Sequence, residues 1–205
     1  MDTAFLITAF TTLFVVIDPL GLTPIFIALT QGADAGHRRA VALRACGIAA
    51  LVLTLFAFFG EAVLGFVGIS MPAFRIAGGI LLFLTALDML FERRTKRRED
   101  QAEDDDHPDP SVFPMAIPLV AGPGAIASMI LLMGQADDAL EAAGVLGVML
   151  GVVALAFALF LTAGPIERAL GRTAINVVTR LLGMLLAALS VQFVLDGLRD
   201  FGTAG

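Results

Sequence analysis

Asp18-Pro19-Leu20-Gly21-Leu22-Thr23-Pro24 interrupts the first apolar run of the chain. From Ala4 to Ile17 the residues are those of a membrane helix; then an acid, two prolines and a glycine stand where hydrocarbon is expected. Proline has no backbone N–H and collides with the preceding turn, so the spacing predicts a broken helix. Backbone groups freed at bilayer depth are tolerated only where protein or a watery cavity covers them. A second apolar run is interrupted alike, at Pro118-Leu119-Val120-Ala121-Gly122-Pro123-Gly124. Both stretches contain Pro-x4-Pro, as Pro19/Pro24 and Pro118/Pro123. Matching interruptions in two halves of a membrane chain point to a transport-type site.

Composition agrees with a membrane protein. The 205 residues are 58% hydrophobic, the mean hydropathy is +0.91, and several runs approach the roughly 20 residues a spanning helix needs. Asp2 precedes the first run with no Lys or Arg, which argues against a cleavable signal peptide. The single cysteine, Cys46, excludes an internal disulfide and reads as a small packing residue. With no Trp or Tyr the interfacial aromatic belt is missing, and flanking arginines must do more of the anchoring. The net charge of −6 comes from acids outside the apolar runs. No basic-aromatic patch points to nucleic acid, and no Gly-rich phosphate loop or other cofactor motif is present.

The pattern predicts an all-α integral membrane protein of six transmembrane segments. They run from about Ala4 to Thr30, Ala40 to Phe59, Ala73 to Phe91, Val112 to Met133, Ala142 to Ala163 and Ala174 to Leu195, with Gly60–Pro72 as a mixed connector. Residues 1–91 form the first three-helix unit, 92–111 a charged linker and 112–205 the second unit. The linker is basic at Arg93–Arg98 and acidic from Glu99 to Asp109. His107 beside Asp104-Asp105-Asp106 fixes no coordination geometry, so the linker reads as a solvated tether rather than a metal site. Arg38, Arg39, Arg44, Arg93, Arg94, Lys96, Arg97, Arg98, Arg168 and Arg172 share one side of such a topology. Arg199 and the edge residue Arg75 lie on the other. The arginine-rich side is therefore cytoplasmic, with both termini outside.

The halves match beyond the prolines. Arg75-Ile76-Ala77-Gly78 recurs as Arg180-Leu181-Leu182-Gly183, and Leu87-Asp88-Met89-Leu90 as Leu195-Asp196-Gly197-Leu198. Three crossings per half is odd, so the second half is expected upside down, an inverted repeat with the two interruptions facing each other. Small residues at Gly147, Gly151, Ala154 and Ala158, and at Gly183, Ala187 and Ser190, read as packing stripes within or between subunits. A homo-oligomer is compatible with them.

Four charges lie in or near the bilayer: Asp18, Arg75, Asp88 and Arg180. Each needs a partner or water. Two readings stand for the arginines: ion pairs between segments three and six, Arg75 with Asp196 and Arg180 with Asp88, or contact with a solute. Two stand for Asp18 as well. It can cap the following half-helix, or bind an amine or a proton, and one carboxylate serves both. Aligning the Pro-x4-Pro elements sets Asp18 opposite Ile117, so the second half has no matching acid. Half-helices starting after Pro24 and Pro123 would bring positive N-terminal ends near mid-membrane. Gly21, Gly122 and Gly124 would admit a ligand to the backbone, with hydroxyls from Thr23 and Ser128. No Ser-His-Asp, Cys-His or clustered His/Asp/Glu set lies in the apolar runs, so no catalytic or metal residues are expected.

Asp-Pro-x-Gly-x-x-Pro-x-Phe from Asp18 to Phe26, and Pro-Leu-x-x-Gly-Pro-Gly-x-Ile from Pro118 to Ile126, resemble the MarC family of bacterial inner-membrane proteins. The likeness extends over nearly the whole chain. It implies an inner-membrane location and kinship with the LysE-type exporter superfamily and its paired three-helix halves. It implies no substrate. The resulting expectation is a secondary transporter or exporter of a small polar solute, anionic or zwitterionic, with proton coupling at Asp18. The alternative is a non-transporting scaffold or subunit of a membrane complex. A passive channel is disfavoured because no ring of like groups forms a filter.

Overall fold

The two proline-containing runs occupy the middle of the molecule, and four longer helices surround them. The computed structural model describes residues 3–91 and 110–203, the side chains at 166–168, 170, 172 and 203 excepted. Arg93, Arg94, Lys96, Arg97, Arg98 and His107 of the linker, and the side chains of Arg168 and Arg172, lie outside the described residues. Among the described residues every element is a helix. Five helical stretches are long and apolar enough to cross a membrane, and a bent pair makes a sixth.

The first span joins α1 (Thr3–Ile17) to α2 (Pro19–Leu29), 27 residues in all. Only Asp18 between them departs from helical geometry, with φ 55 and ψ 62. The helix starting point expected after Pro24 is corrected here: α2 begins at Pro19 and carries Pro24 in its interior. The reason is local. Proline is favoured in the first helical turn, where its missing N–H would have no partner, and the freed Asp18 carboxylate caps that turn.

α3 (Ala35–Val67) starts at Asp34, whose carboxylate accepts the His37 N–H, and ends at Gly68 in the left-handed region. The connector expected over Gly60–Pro72 is therefore mostly helix, and the turn is confined to 68–70. Gly68 is the stop signal, because only glycine adopts φ +83 without strain. α4 (Met71–Leu90) follows, capped by Ser70.

The second proline-rich run is less regular. In α5 (Ser111–Val120) hydrogen bonds reach back five residues, from Met115 N–H to Pro110 and from Ala121 N–H to Ala116. Phe113 and Ile117 are extended, as residues before proline prefer, and the bonds to Pro114 and Pro118 are cis. α6 (Pro123–Met133) then leaves at 54° to α5. α7 (Ala139–Leu161) and α8 (Ala163–Thr203) complete the chain. The sixth span is longer than expected, since α8 is bent only at Gly171 (φ 70) and its apolar part covers Thr173–Gly202.

Burial follows from backbone chemistry. The best apolar window of α1–α2 is 61% buried, against 28 to 39% in α3, α4, α7 and α8, and α6 is buried from Gly124 to Leu132 except at Ile126. Irregular backbone has to be screened from lipid, so the interrupted elements take the centre. The outer helices present Leu51, Phe58, Phe59, Leu150, Leu181 and Leu195 outward, the chemistry of a lipid-facing surface.

Packing pairs the halves crosswise. α3 lies on α5 and α6, while α7 lies on α1 and α2; α4 touches α6, and α8 touches α2. The most extensive contact joins α4 to α8. They are antiparallel, since Gly197 lies by Ile76, Gly79 by Ser190 and Val194, and Gly183 by Met89. The small residues Gly183 and Ser190 thus pack within the chain. The α7 stripe does not: Gly147, Gly151, Ala154 and Ala158 are exposed, and a Cβ at either glycine would meet nothing. Val145, Met149, Val152 and Ala156 form the inward face of α7 instead.

Candidate functional site

Asp18 is 1% exposed at the one non-helical residue of the first span. A left-handed conformation costs an ordinary side chain about 1–2 kcal/mol, and aspartate is among the few that offset it by a local hydrogen bond. Here Oδ1 accepts the Gly21 N–H at 3.1 Å. Thr179 Oγ1 of α8 lies 3.5 Å from the same oxygen, a long contact that brings the sixth span to the interruption. Gly21 fixes where the carboxylate can lie, because a Cβ there would fall 2.1 Å from Asp18 Oδ2. The capping role is thus visible in the geometry.

The second interruption lies beside the first. A Cβ on Gly124 would stand 3.1 Å from Val16 of α1, 3.5 Å from Leu82 and 3.7 Å from Thr85. Gly124 therefore serves close approach of α6 to α1 and α4, where the sequence offered room for a ligand. Gly122 is needed for the bend, its Cβ position being 2.6 Å from the Pro118 carbonyl oxygen. Pro123 occupies the first turn of α6 and is exposed, Pro118 is half-buried, and Pro19 is buried.

The hydroxyls are committed to their own helices. Thr23 donates to the Pro19 carbonyl at 3.0 Å and Ser128 to the Gly124 carbonyl at 2.8 Å, both fully buried. These bonds satisfy carbonyls in the first turns of α2 and α6, leaving lone pairs rather than protons for a ligand.

The arginines stand elsewhere. Arg75 pairs with Asp200, not with Asp196, whose carboxylate accepts from Gln192 at 2.8 Å. Asp200 is one helical turn beyond Asp196, and the seating of α8 along α4, with Gly197 against Ile76, brings it to Arg75. Thr179 and Asp200 are 21 residues apart on α8, about 31 Å at 1.5 Å per residue, so Arg75 is remote from Asp18. Arg180 follows the buried Thr179 but is itself exposed. Gly183, packed against Met89 and the Ala86 carbonyl, sets Asp88 and Arg180 at one end of the α4–α8 contact.

Arg75 is 14% exposed and Asp200 46%, so solvent screens this pair. A double-mutant cycle on Arg75→Ala and Asp200→Ala is expected to give a coupling of about 1 kcal/mol. The cycle on Arg75 and Asp196 is expected to give none. Reversal of those two outcomes in equilibrium unfolding would remove the assigned pair.

Thr179 and Asp200 are the residues that sequence reading missed. A scan of span six for every polar side chain finds Thr179, and the i, i+4 spacing from Asp196 finds Asp200; neither sits in the repeated motifs. Among the described residues no three His, Cys, Asp or Glu side chains cluster as a metal site.

The family model for MarC family integral membrane proteins matches residues 3–201. A UPF0056 membrane protein of Archaeoglobus fulgidus is 40% identical, over 96% of this chain and 93% of its own length. UPF0056 membrane protein YvbG of Bacillus subtilis is 35% identical, over 96% and 95%. The UPF0056 inner membrane protein YhgN of Escherichia coli K12 is 34% identical, over 95% and 96%. No solved structure matches the chain. Apolar spans, two proline-interrupted central elements and a match along almost the full length lead to one conclusion: this chain belongs to the MarC family of integral membrane proteins.

Proposed function

We propose that this protein is a secondary transporter or exporter of a small anionic or zwitterionic solute, with Asp18 binding an amine or a coupling proton. The observation that carries the reading is a carboxylate 1% exposed at a helix interruption, within a span that crosses the membrane. Intramembrane acids are costly and mark ion or solute pathways. The proximity of Gly124 to Val16 supports it, because it sets the second interruption against the first. An inverted repeat of three-span halves is part of the proposal. Exchange of α1–α2 with α5–α6, α3 with α7 and α4 with α8 maps most of the larger helix contacts onto one another, the α1–α8 contact excepted. Asp18 and Ile117, matched by the proline alignment, are both residues that leave helical geometry. Alternating access would then be a rocking of one half against the other. The arginine distribution supports an orientation with both termini outside.

A second reading, a scaffold or subunit with no transport, draws on one fact: Val16, Leu82 and Thr85 fill the space in front of Gly124. Flux into proteoliposomes separates the two. A panel of amino acids and small carboxylates is expected to contain a solute taken up saturably and driven by a gradient. Asp18→Asn is expected to abolish that uptake with the fold intact, since asparagine also tolerates the left-handed region and keeps the oxygen that caps Gly21. A panel without saturable flux, together with recovery of a stoichiometric membrane partner, would establish the scaffold instead.

A further inference from the structure

We propose that the groove between α1 and α8 is an aqueous vestibule leading toward Asp18 from the membrane face on which α1 begins. The groove has a volume of about 380 Å³, ample for several waters at about 30 Å³ each. Thr8, Thr11 and Gln192 line it together with the apolar residues Ile7, Leu185, Ala188 and Leu189, of which Ile7 and Leu185 are exposed. The proposal rests on the reading of Asp18 as the working group, but its test reads access and not flux.

Position makes the case first. Thr11 is eight residues into α1, about 12 Å from Thr3, and Ala188 lies at the middle of the Thr173–Gly202 span. The groove therefore reaches from near the surface to roughly mid-membrane. Thr8, Thr11 and Asp18 are spaced three and seven residues apart, which keeps them on one side of a helix. The Asp18 N–H bonds to the Phe14 carbonyl, so that register holds as far as Asp18. α8 runs antiparallel alongside, with Gln192 at the groove and Thr179 at Asp18. From the groove toward Asp18 the two helices carry buried apolar side chains, among them Val15 on α1, 1% exposed, and Leu186 on α8, fully buried.

Chemistry makes it second. Polar side chains within membrane spans turn to the protein interior or to a watery cavity. Gln192, hydrogen-bonded to Asp196, is exposed within a span. Thr8 sends its hydroxyl to the Ala4 carbonyl, the usual arrangement of threonine in a helix. Thr12, next to Thr11, does not: its hydroxyl is fully buried and has no partner among the described residues. A buried hydroxyl in that state calls for a hydrogen-bonding neighbour, which water supplies. Displacement of buried apolar side chains such as Val15 and Leu186 would then join the vestibule to Asp18.

The test is thiol labelling in proteoliposomes. With Cys46→Ala removing the buried native thiol, Thr8→Cys, Thr11→Cys and, as a lipid-face control, Leu51→Cys are each introduced. Each is exposed to a charged, membrane-impermeant methanethiosulfonate and to a neutral lipophilic maleimide. The thiolate is the nucleophile toward both reagents and forms only where water reaches the sulfur, so the two groove positions are expected to react with the charged reagent about tenfold or more faster than Leu51→Cys. Melting temperatures verify the fold, and Ala188→Cys across the groove replaces any threonine variant that fails to fold. Reaction with the maleimide alone means that the charged reagent does not enter from bulk water, so the groove is no open vestibule, and this overturns the proposal. Absence of reaction with both means a covered groove, such as a contact with another copy, and overturns it equally. A labelled Thr11→Cys in a protein without measurable flux retains the vestibule and removes only the transport reading.

Discussion

Gly79→Ala is expected to cost about 1–2 kcal/mol of stability, although alanine is the better helix former. A Cβ at Gly79 would lie 2.8 Å from the Ser190 carbonyl oxygen and 2.8 Å from Val194 Cγ2, with the Val194 backbone nitrogen at 3.1 Å. Two of those three atoms are backbone in the middle of α8, so no rotamer change relieves the clash. The helices must separate, and α4–α8 is the most extensive helix contact of the fold. Overpacking of this kind costs about 1–3 kcal/mol, occasionally more, and the helix-propensity gain returns about 1. Gly151→Ala is the matched control. Its Cβ meets nothing within 4 Å, so only the propensity gain remains and stability is expected to rise by up to about 1 kcal/mol. Equilibrium unfolding of both variants in one detergent checks the contrast. Equal effects at 79 and 151 would mean that the α4–α8 contact is not formed as described.

Gly21→Ala is expected to do the opposite: little harm to stability and a large loss of function. Its Cβ would fall 2.1 Å from Asp18 Oδ2 and 2.7 Å from Cγ, atoms at the end of a short side chain rather than backbone. The carboxylate can swing away. Doing so gives up the bond from the Gly21 N–H, a cap worth about 1 kcal/mol, while alanine within α2 returns about the same. The net change in stability is therefore expected to lie within about 1 kcal/mol. Function responds to position. A displacement of about 1 Å in a working group costs up to about a hundredfold, so uptake should fall about tenfold or more with Asp18 still present. Measured beside Asp18→Asn, the variant separates the presence of the acid from its placement. Unchanged uptake in Gly21→Ala would show that the position of the carboxylate over Gly21 does not matter.

How much of this was legible in the sequence depends on how local the cause is. The membrane spans follow from runs of apolar residues, and the departure from helix at Asp18 and Ile117 from the prolines that follow them. The cap of α2 is equally local, three residues from Asp18 to Gly21. Errors arose where local signals compete. Pro24 reads as a helix breaker, yet α2 passes through it, because Pro19 had already taken the helix start. Gly60 reads as the opening of a connector, yet it lies inside α3, where its bare Cα accommodates Ile130 of α6; a Cβ would fall 2.4 Å from that side chain. Nothing near Gly60 in the sequence announces a partner seventy residues away.

The ion pair makes the same point from the other side. Segments three and six could be predicted to meet, since each carries an arginine and an acid in repeated order. Which acid Arg75 takes depends on how far α8 slides along α4, and that is set by Gly79, Gly183 and Gly197 seating against Ser190, Met89 and Ile76. The sequence by itself determined the membrane class and the family, and it pointed to Asp18 and the two proline motifs. Those rest on composition and on spacings of a few residues, where backbone chemistry acts alone. Only the tertiary structure placed Thr179 beside Asp18, Gly124 against Val16 and the α1–α8 groove above them. Such contacts join residues far apart in the chain, and the shapes of many side chains select them together.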